Sequence, residues 1–245
     1  MNLVLIDASE LDDSGVVRLE GDRATHLTRV LRVVPGQQIR VGLVDGHAGL
    51  GTVIEPGPHA VTLRCVFTEE AVPIPAVDLL LALPRPKVLR RLWAQIAALG
   101  VRRVLLTNAE RVERNYFDTH LLTPDIYRPL LLEGLQQARD THVPLVSIHR
   151  QFRVLVEDVL DHEVGDALRL VADPAGASSV AAAINAAPTQ RVLLAVGPEG
   201  GWNAFELDLL AAHRFRSVSM GARTLRVDTA CVALLAIINE ARQQD

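Results

Sequence analysis

The 245-residue chain has little of what marks several large classes of protein. No uninterrupted apolar run approaches the ~18 residues of a membrane-spanning helix. This holds although apolar residues make up 49% of the chain and mean hydropathy is +0.21. A membrane partner is therefore not expected. The start, Met1–Asp7, lacks the basic stretch and long apolar core of a secretory signal, which points to a cytoplasmic protein. Cys65 and Cys231 lie far apart and outside any Cys-x-x-Cys pair, which argues against a disulfide scaffold and a structural zinc site. The eight histidines show no His-Glu-x-x-His spacing, so no metal is expected. A Gly-x-Ser-x-Gly elbow is missing, and with it any support for a nucleophilic serine. Neither Gly-x-Gly-x-x-Gly nor Gly-Lys-Ser/Thr occurs, so a classical dinucleotide or triphosphate site is poorly supported. Lysine is almost missing too: Lys87 is the only one among 25 basic residues.

Net charge is −4 and the pI about 6.1, which gives no overall signal for nucleic acid. Local charge differs. Between Pro84 and Tyr116, Arg85, Lys87, Arg90, Arg91, Arg102, Arg103, Arg111 and Arg114 face only Glu110 and Glu113. Such a segment is either a solvated helix face or a phosphate-binding patch.

The chain reads as two regions. Up to about residue 70, short β-like segments (Leu3–Ile6, Val16–Leu19, Gln38–Val44, Gly51–Ile54, Ala60–Phe67) are separated by turn signals such as Pro35-Gly36 and Asp45-Gly46. One helix, Asp22–Arg32, interrupts them, and its spacing sets His26, Arg29 and Arg32 along roughly one face. This is a small β-barrel of residues 1–70 carrying a helix, followed by a charged, proline-containing linker of residues 71–76. From Val77 to the end, residues 77–245, apolar strands alternate with helices: Val77–Leu83, Val104–Thr107, Leu145–Ile148, Leu168–Ala172, Val192–Val196 and Ser217–Met220. That order indicates an α/β domain with a parallel sheet. Pro86–Leu99 is an amphipathic helix stopped by Gly100, Asn203 and Glu206 resemble a capping box, and a final helix runs from about Thr229 to Arg242.

Two loops carry the chemistry. Gly197-Pro198-Glu199-Gly200-Gly201-Trp202 follows a buried strand and precedes a helix, which is where open α/β sheets place ligands. Its small residues let backbone groups approach a ligand closely. Glu199 either bonds a ribose hydroxyl or shapes the loop by accepting backbone N–H groups. About twenty residues later, Arg223 and Arg226 stand beside Gly221, with Asp228 and Thr229 at the expected helix cap. Arginines there can hold phosphates or developing negative charge on a base carbonyl. Asp228 caps the final helix, pairs with Arg226, or takes part in the chemistry.

These residues resemble a known family. Leu194-Ala195-Val196-Gly197-Pro198-Glu199-Gly200-Gly201-Trp202, followed by Met220-Gly221-Ala222-Arg223-Thr224-Leu225-Arg226-Val227-Asp228-Thr229-Ala230, is similar to the C-terminal signature of the RsmE family. These are 16S ribosomal RNA uridine-N3 methyltransferases of the SPOUT superfamily. His26-Leu27-Thr28-Arg29-Val30-Leu31-Arg32 with Pro35-Gly36 resembles the family's N-terminal motif, and Gln136-Gln137-Ala138-Arg139 with Val143-Pro144 its middle segment. Asp228 stands where the family has Glu, and Ala98-Leu99-Gly100 where it has Glu-Leu-Gly.

The resemblance implies a PUA-like first domain and a SPOUT domain with a deep trefoil knot around its parallel sheet. It implies S-adenosylmethionine held by Leu194, Val196, Gly197, Pro198, Glu199, Gly200, Gly201, Met220, Gly221, Leu225 and Arg226. The expected catalytic residues are Arg223, Arg226 and Asp228. The expected contacts to 16S ribosomal RNA in the small ribosomal subunit are His26, Arg29, Arg32, Arg85 and Lys87. A homodimer is implied as well, compatible with the apolar last helix. Two rivals remain: the same cofactor domain acting on a ribose 2′-hydroxyl or a tRNA base, and an RNA-binding module without catalysis.

Overall fold

Period-two alternation of apolar residues builds the first sheet, and largely apolar strands build the centre of the second. The computed structural model describes residues 2–70 and 73–242; Ala71 and Val72 of the expected linker lie outside the described residues. The chain divides into two units, residues up to Ile74 with Leu132–Val143, and Pro75–Leu131 with the chain from Pro144 onward.

The first unit holds β1 (Val4–Ile6), β2 (Val16–Glu20), β3 (Gln38–Leu43), β4 (Ala48–Pro56) and β5 (Ala60–Val66). They lie in the order β1-β3-β4-β5-β2, with β1 parallel to β3 and the other pairs antiparallel. Val17, Leu19, Val41, Val53, Val61 and Leu63 point inward and bury almost completely, so one face of the sheet is its core. The helix differs from the sequence expectation. α1 (Gly21–Thr25) passes into a π-helical turn, His26–Val30, in which the Leu31 N–H donates to the His26 carbonyl at 3.0 Å. The wider turn keeps Leu27 in the core. Arg32 takes a left-handed backbone (φ 50°) beyond that turn, so it does not continue the face of His26 and Arg29. Leu132–Val143 joins this unit through polar contacts: the amides of Asn2 and Leu3 donate to the Gln136 carbonyl, and Thr141 Oγ1 donates to the Gly46 carbonyl at 2.7 Å.

The second unit contains β6 (Val77–Ala82), α2 (Pro86–Ala98), β7 (Val101–Thr107), α3 (Pro124–Ala138, whose last residues group with the first unit) and β8 (Leu145–His149). Then follow α4 (Phe152–Val154), α5 (Leu160–Val164), β9 (Leu168–Ala172), β10 (Ser178–Ser179), α6 (Val180–Asn185) and β11 (Val192–Val196). The chain continues through α7 (Ala204–Ala212), β12 (Arg216–Ser219) and α8 (Val227–Arg242). Seven strands run parallel in the order β10-β12-β9-β11-β6-β7-β8. β6 and β11 are buried at every position, as strands covered on both faces must be. β11 is inserted between β6 and β9, which precede it in the chain. The loop that follows β11 therefore opens where the strand order reverses, the place where such sheets bind ligands.

Two caps are built locally. Pro86 occupies the first turn of α2, whose Leu89, Leu92, Trp93 and Ile96 are buried. Asn203 caps α7, its side chain accepting from the Glu206 amide while Glu206 accepts from the Asn203 amide, both at 2.8 Å. The last helix starts earlier than expected. α8 begins at Val227, so Asp228 and Thr229 lie in its first turn and do not cap it. Among the described residues, no helix is long and apolar enough to cross a membrane.

Candidate functional site

A cavity of 340 Å³ opens at the carboxyl ends of β9, β11 and β12. Three loops wall it: Ala172–Pro174, Gly197–Trp202 and Met220–Leu225, with Val227, Ala230 and Leu234 of α8 behind them. Its size lies in the range of small-molecule sites, and its wall is largely apolar side chain and bare backbone. Asp173 braces one side. Its amide bonds the Val218 carbonyl at 3.0 Å, and its carboxylate accepts from Ala175 N at 3.0 Å and Ser217 Oγ at 3.3 Å.

The glycine loop is packed too closely for side chains. A Cβ on Gly197 would sit 3.1 Å from Trp202 Nε1, and a Cβ on Gly200 would sit 2.9 Å from Arg111 Cδ. The cradle thus presents peptide groups to a ligand, an arrangement that fits a cofactor read through its polar edges.

The sequence-derived cofactor residues mostly converge. Val196, Gly197, Pro198, Glu199, Gly200, Gly201, Met220, Gly221 and Leu225 line the cavity, and Arg223 joins them. Leu194 is buried within β11, and Arg226 lies off the wall, its carbonyl accepting from the Ala230 amide at the start of α8. Glu199 accepts a backbone N–H, as one of its two readings required, but from another loop: Arg85 N donates to its Oε1 at 3.0 Å. The β11 loop is thereby pinned to the entrance of α2. Asp228 pairs neither with Arg226 nor as a cap. Its Oδ2 receives Arg91 of α2 at 2.6 Å, while its Oδ1 accepts from Thr229 N.

The Arg91 guanidinium holds the Asp228 carboxyl below the ordinary aspartate value of 3.8. A carboxylate with a lowered folded-state value stabilises the structure above its unfolded value and loses that contribution as pH falls through the folded one. Asp228→Asn is therefore expected to loosen the second loop and weaken cofactor binding about 3- to 10-fold at neutral pH. Variant and wild type should differ from neutral pH down to the ordinary aspartate value of 3.8 and converge only below it, as the lowered carboxyl takes up its proton; isotherms that already coincide at pH ~5 would show that the ion pair is not what Asp228 supplies.

Arg111 escaped the sequence reading. Its guanidinium bonds the Gly200 carbonyl, and its stem lies over Gly200, roofing the loop. Only its place in the arginine-rich segment marked it. Glu206 does similar work from below, accepting from the Glu110 amide at 2.7 Å and tying the loop after β7 to α7. Tyr116 donates to Glu113 Oε1 at 3.0 Å, and burial followed by this bond pushes its hydroxyl up, so it stays protonated.

Of the expected RNA contacts, Arg85 and Lys87 are exposed at the start of α2. His26, Arg29 and Arg32 belong to the first unit, where Arg29 and Arg32 are exposed. His26 is half-buried; burial lowers its pKa, and its Nε2 is enclosed without a partner among the described residues. Among the described residues no cluster of metal-ligating side chains occurs.

Comparison with known proteins gives these features a class. Residues 71–239 match the RNA methyltransferase domain, and residues 19–65 match the RNA methyltransferase PUA domain. A Treponema pallidum protein named ribosomal RNA small subunit methyltransferase E is 30% identical over 97% of this chain and 90% of its own length. A Synechocystis protein of the same name is 30% identical over 96% of this chain and 76% of its own. The solved structure of the Neisseria gonorrhoeae protein of that name, bound to S-adenosyl methionine, superposes with a TM-score of 0.76. Its identity is 20%, with 98% of this chain and 97% of that one covered. A methyltransferase from Legionella pneumophila in complex with the same cofactor gives a TM-score of 0.77 at 19% identity, covering 98% and 97%.

Sheet, cavity and matches together define an RNA methyltransferase with an N-terminal PUA domain. The chain belongs to the RsmE family, the one its loop motifs resemble.

Proposed function

We propose that the cavity holds S-adenosylmethionine and that the protein methylates N3 of one uridine in the 16S ribosomal RNA of the small ribosomal subunit. The observation that carries this reading is the meeting of the β11 glycine loop and the β12 loop around one cavity, with Arg223 on its wall. The cofactor supplies an electrophilic methyl group, so the main task left to the protein is positioning. Apolar side chains such as Val196, Leu225 and Leu234 suit the adenine, and the peptide groups of Gly197–Gly201 suit its polar edge.

Loss of the N3 proton spreads negative charge onto uracil O2 and O4, and Arg223 is placed to stabilise it from the cavity wall. Arg226, exposed and three residues further on, is the second candidate for this role. Glu199 and Asp228 are already engaged, with Arg85 N and with Arg91, which favours water as the proton acceptor. Asp228 then serves the reaction by anchoring the second loop.

The target base leaves its stack to reach the cavity. Arg29, Arg32, Arg85 and Lys87 grip phosphates, which makes turnover salt-sensitive. Residues 1–70 act as the RNA-binding domain and residues 77–245 as the catalytic domain. We further infer a trefoil knot, since β11 is inserted between strands laid down earlier, and a homodimer in the cytoplasm.

Calorimetry with S-adenosylmethionine tests the cofactor, and radiolabelled methyl transfer to unmethylated small subunits, followed by nucleoside analysis, tests the reaction. The reading expects heat, transfer and 3-methyluridine. Absence of heat would leave an RNA-binding module, and a 2′-O-methylated product or transfer only to tRNA would replace the proposed target.

A further inference from the structure

A second recess, of 360 Å³, opens beyond the carboxyl end of β7, between the loop after that strand, the start of α4 and the start of α7. One aromatic pair divides it from the cofactor cavity. Trp202 lines the cavity, Phe152 lines the recess, and their rings pack with centroids 5.3 Å apart. The recess is therefore a close neighbour of the cavity.

The recess presents a set of groups that the fold does not itself consume. Phe205 is 59% exposed, although a phenylalanine on a helix face is ordinarily drawn into a core. Arg114 has no acid within ion-pair distance among the described residues. Arg153 also lines the recess, its charge partly met by Glu157, which accepts from its Nε at 2.9 Å. Asn108 Oδ1 sits in the wall with no donor. Two acids also line the recess. Glu206 spends both oxygens on the Asn203 and Glu110 amides, while Glu110 faces solvent and sets a limit on how strongly an anion is held.

A π-face and guanidinium groups side by side match the base plane and the phosphate of one nucleotide. We propose that this recess holds an unstacked nucleotide of the RNA substrate adjacent to the target, with its base on Phe205 and its phosphate on Arg114 and Arg153. The inference deepens the reading given above, since it rests on RNA as the substrate. It gives the recess a role in choosing the sequence around the methylated position, through the fit of that base against Phe205.

The test measures anisotropy of a short fluorescein-labelled single-stranded oligouridylate, with calorimetry of S-adenosylmethionine and sedimentation velocity as companions. Phe205→Ala is expected to weaken RNA binding about 5- to 150-fold, and Phe205→Trp to retain it, because stacking on an aromatic is what is lost and restored. Arg114→Ala should lower the salt slope of binding by roughly 0.7. Cofactor affinity should stay unchanged in all three. Phe205→Ala protein that binds the oligonucleotide like wild type overturns the recess alone. A change in sedimentation with RNA affinity intact also overturns it, and makes Phe205 a contact between copies of the chain. Wild-type protein that binds no oligouridylate overturns the recess, while the substrate reading stands or falls separately with methyl transfer to small subunits.

Discussion

Arg223→Ala is expected to lower the rate of methyl transfer by about 10²- to 10³-fold at saturating cofactor, with little change in melting temperature. The size follows from what one preorganised donor contributes when charge develops in a site that excludes water. The location follows from the fold: β12 ends at Ser219, and the loop beyond it carries Arg223 onto the cavity wall beside Gly221 and Leu225. Arg223 is exposed, so its removal opens no core. Arg226, off that wall, should cost less when replaced in the same way. The comparison is made by single-turnover radiolabel transfer to unmethylated small subunits. Full turnover by Arg223→Ala, or a larger loss in Arg226→Ala, would place the stabilising charge elsewhere.

Gly200→Val should act on the cofactor rather than on the chemistry. Its Cβ would come 2.9 Å from Arg111 Cδ and 3.2 Å from Arg111 Cβ, so the arginine stem has to leave. The guanidinium bond to the Gly200 carbonyl goes with it. Losing one charged hydrogen bond and the closed loop is expected to weaken S-adenosylmethionine about 10- to 100-fold by calorimetry. Adding Arg111→Ala to Gly200→Val relieves the clash but not the lost bond, so only part of the affinity returns. Unaltered affinity in Gly200→Val would mean that the cradle is not the cofactor's seat.

Much of this site was legible because its signals are local. The apolar run Val192–Val196 reads as a strand buried on both faces, and the glycines after it read as a loop open to a ligand. The Asn203–Glu206 cap is written within four residues and formed as expected. The β12 loop was legible for the same reason. What escaped depends on contacts between distant parts of the chain. Arg111 reaches Gly200 across 89 positions, and Arg91 reaches Asp228 across 137. No periodicity carries such pairs. The π-helical turn at His26–Val30 escaped for another reason: its apolar spacing is that of an ordinary helix, and only the demand to bury Leu27 widens it. Leu132–Val143 joined the first unit through backbone carbonyls and single side chains such as Thr141, for which composition leaves no trace.

The sheet order explains why the two loops cooperate. β11 lies beside β9, and β9 beside β12, so loops more than twenty residues apart in the chain open onto the same end of neighbouring strands. Arg85 and Arg91, at the other side of β11 through β6 and α2, then clamp each loop through one carboxylate, Glu199 and Asp228. Glu199 and Asp228 are thus engaged within the fold, while Arg223 lies on the cavity wall.

Methylation of one uridine at N3 is read out by mass-mapping of ribosomal RNA modifications in a deletion strain. A single 3-methyluridine is expected to disappear from 16S ribosomal RNA and to return on complementation with wild type but not with Arg223→Ala. An unchanged modification map, or loss of a 2′-O-methyl group or a tRNA modification instead, would contradict it.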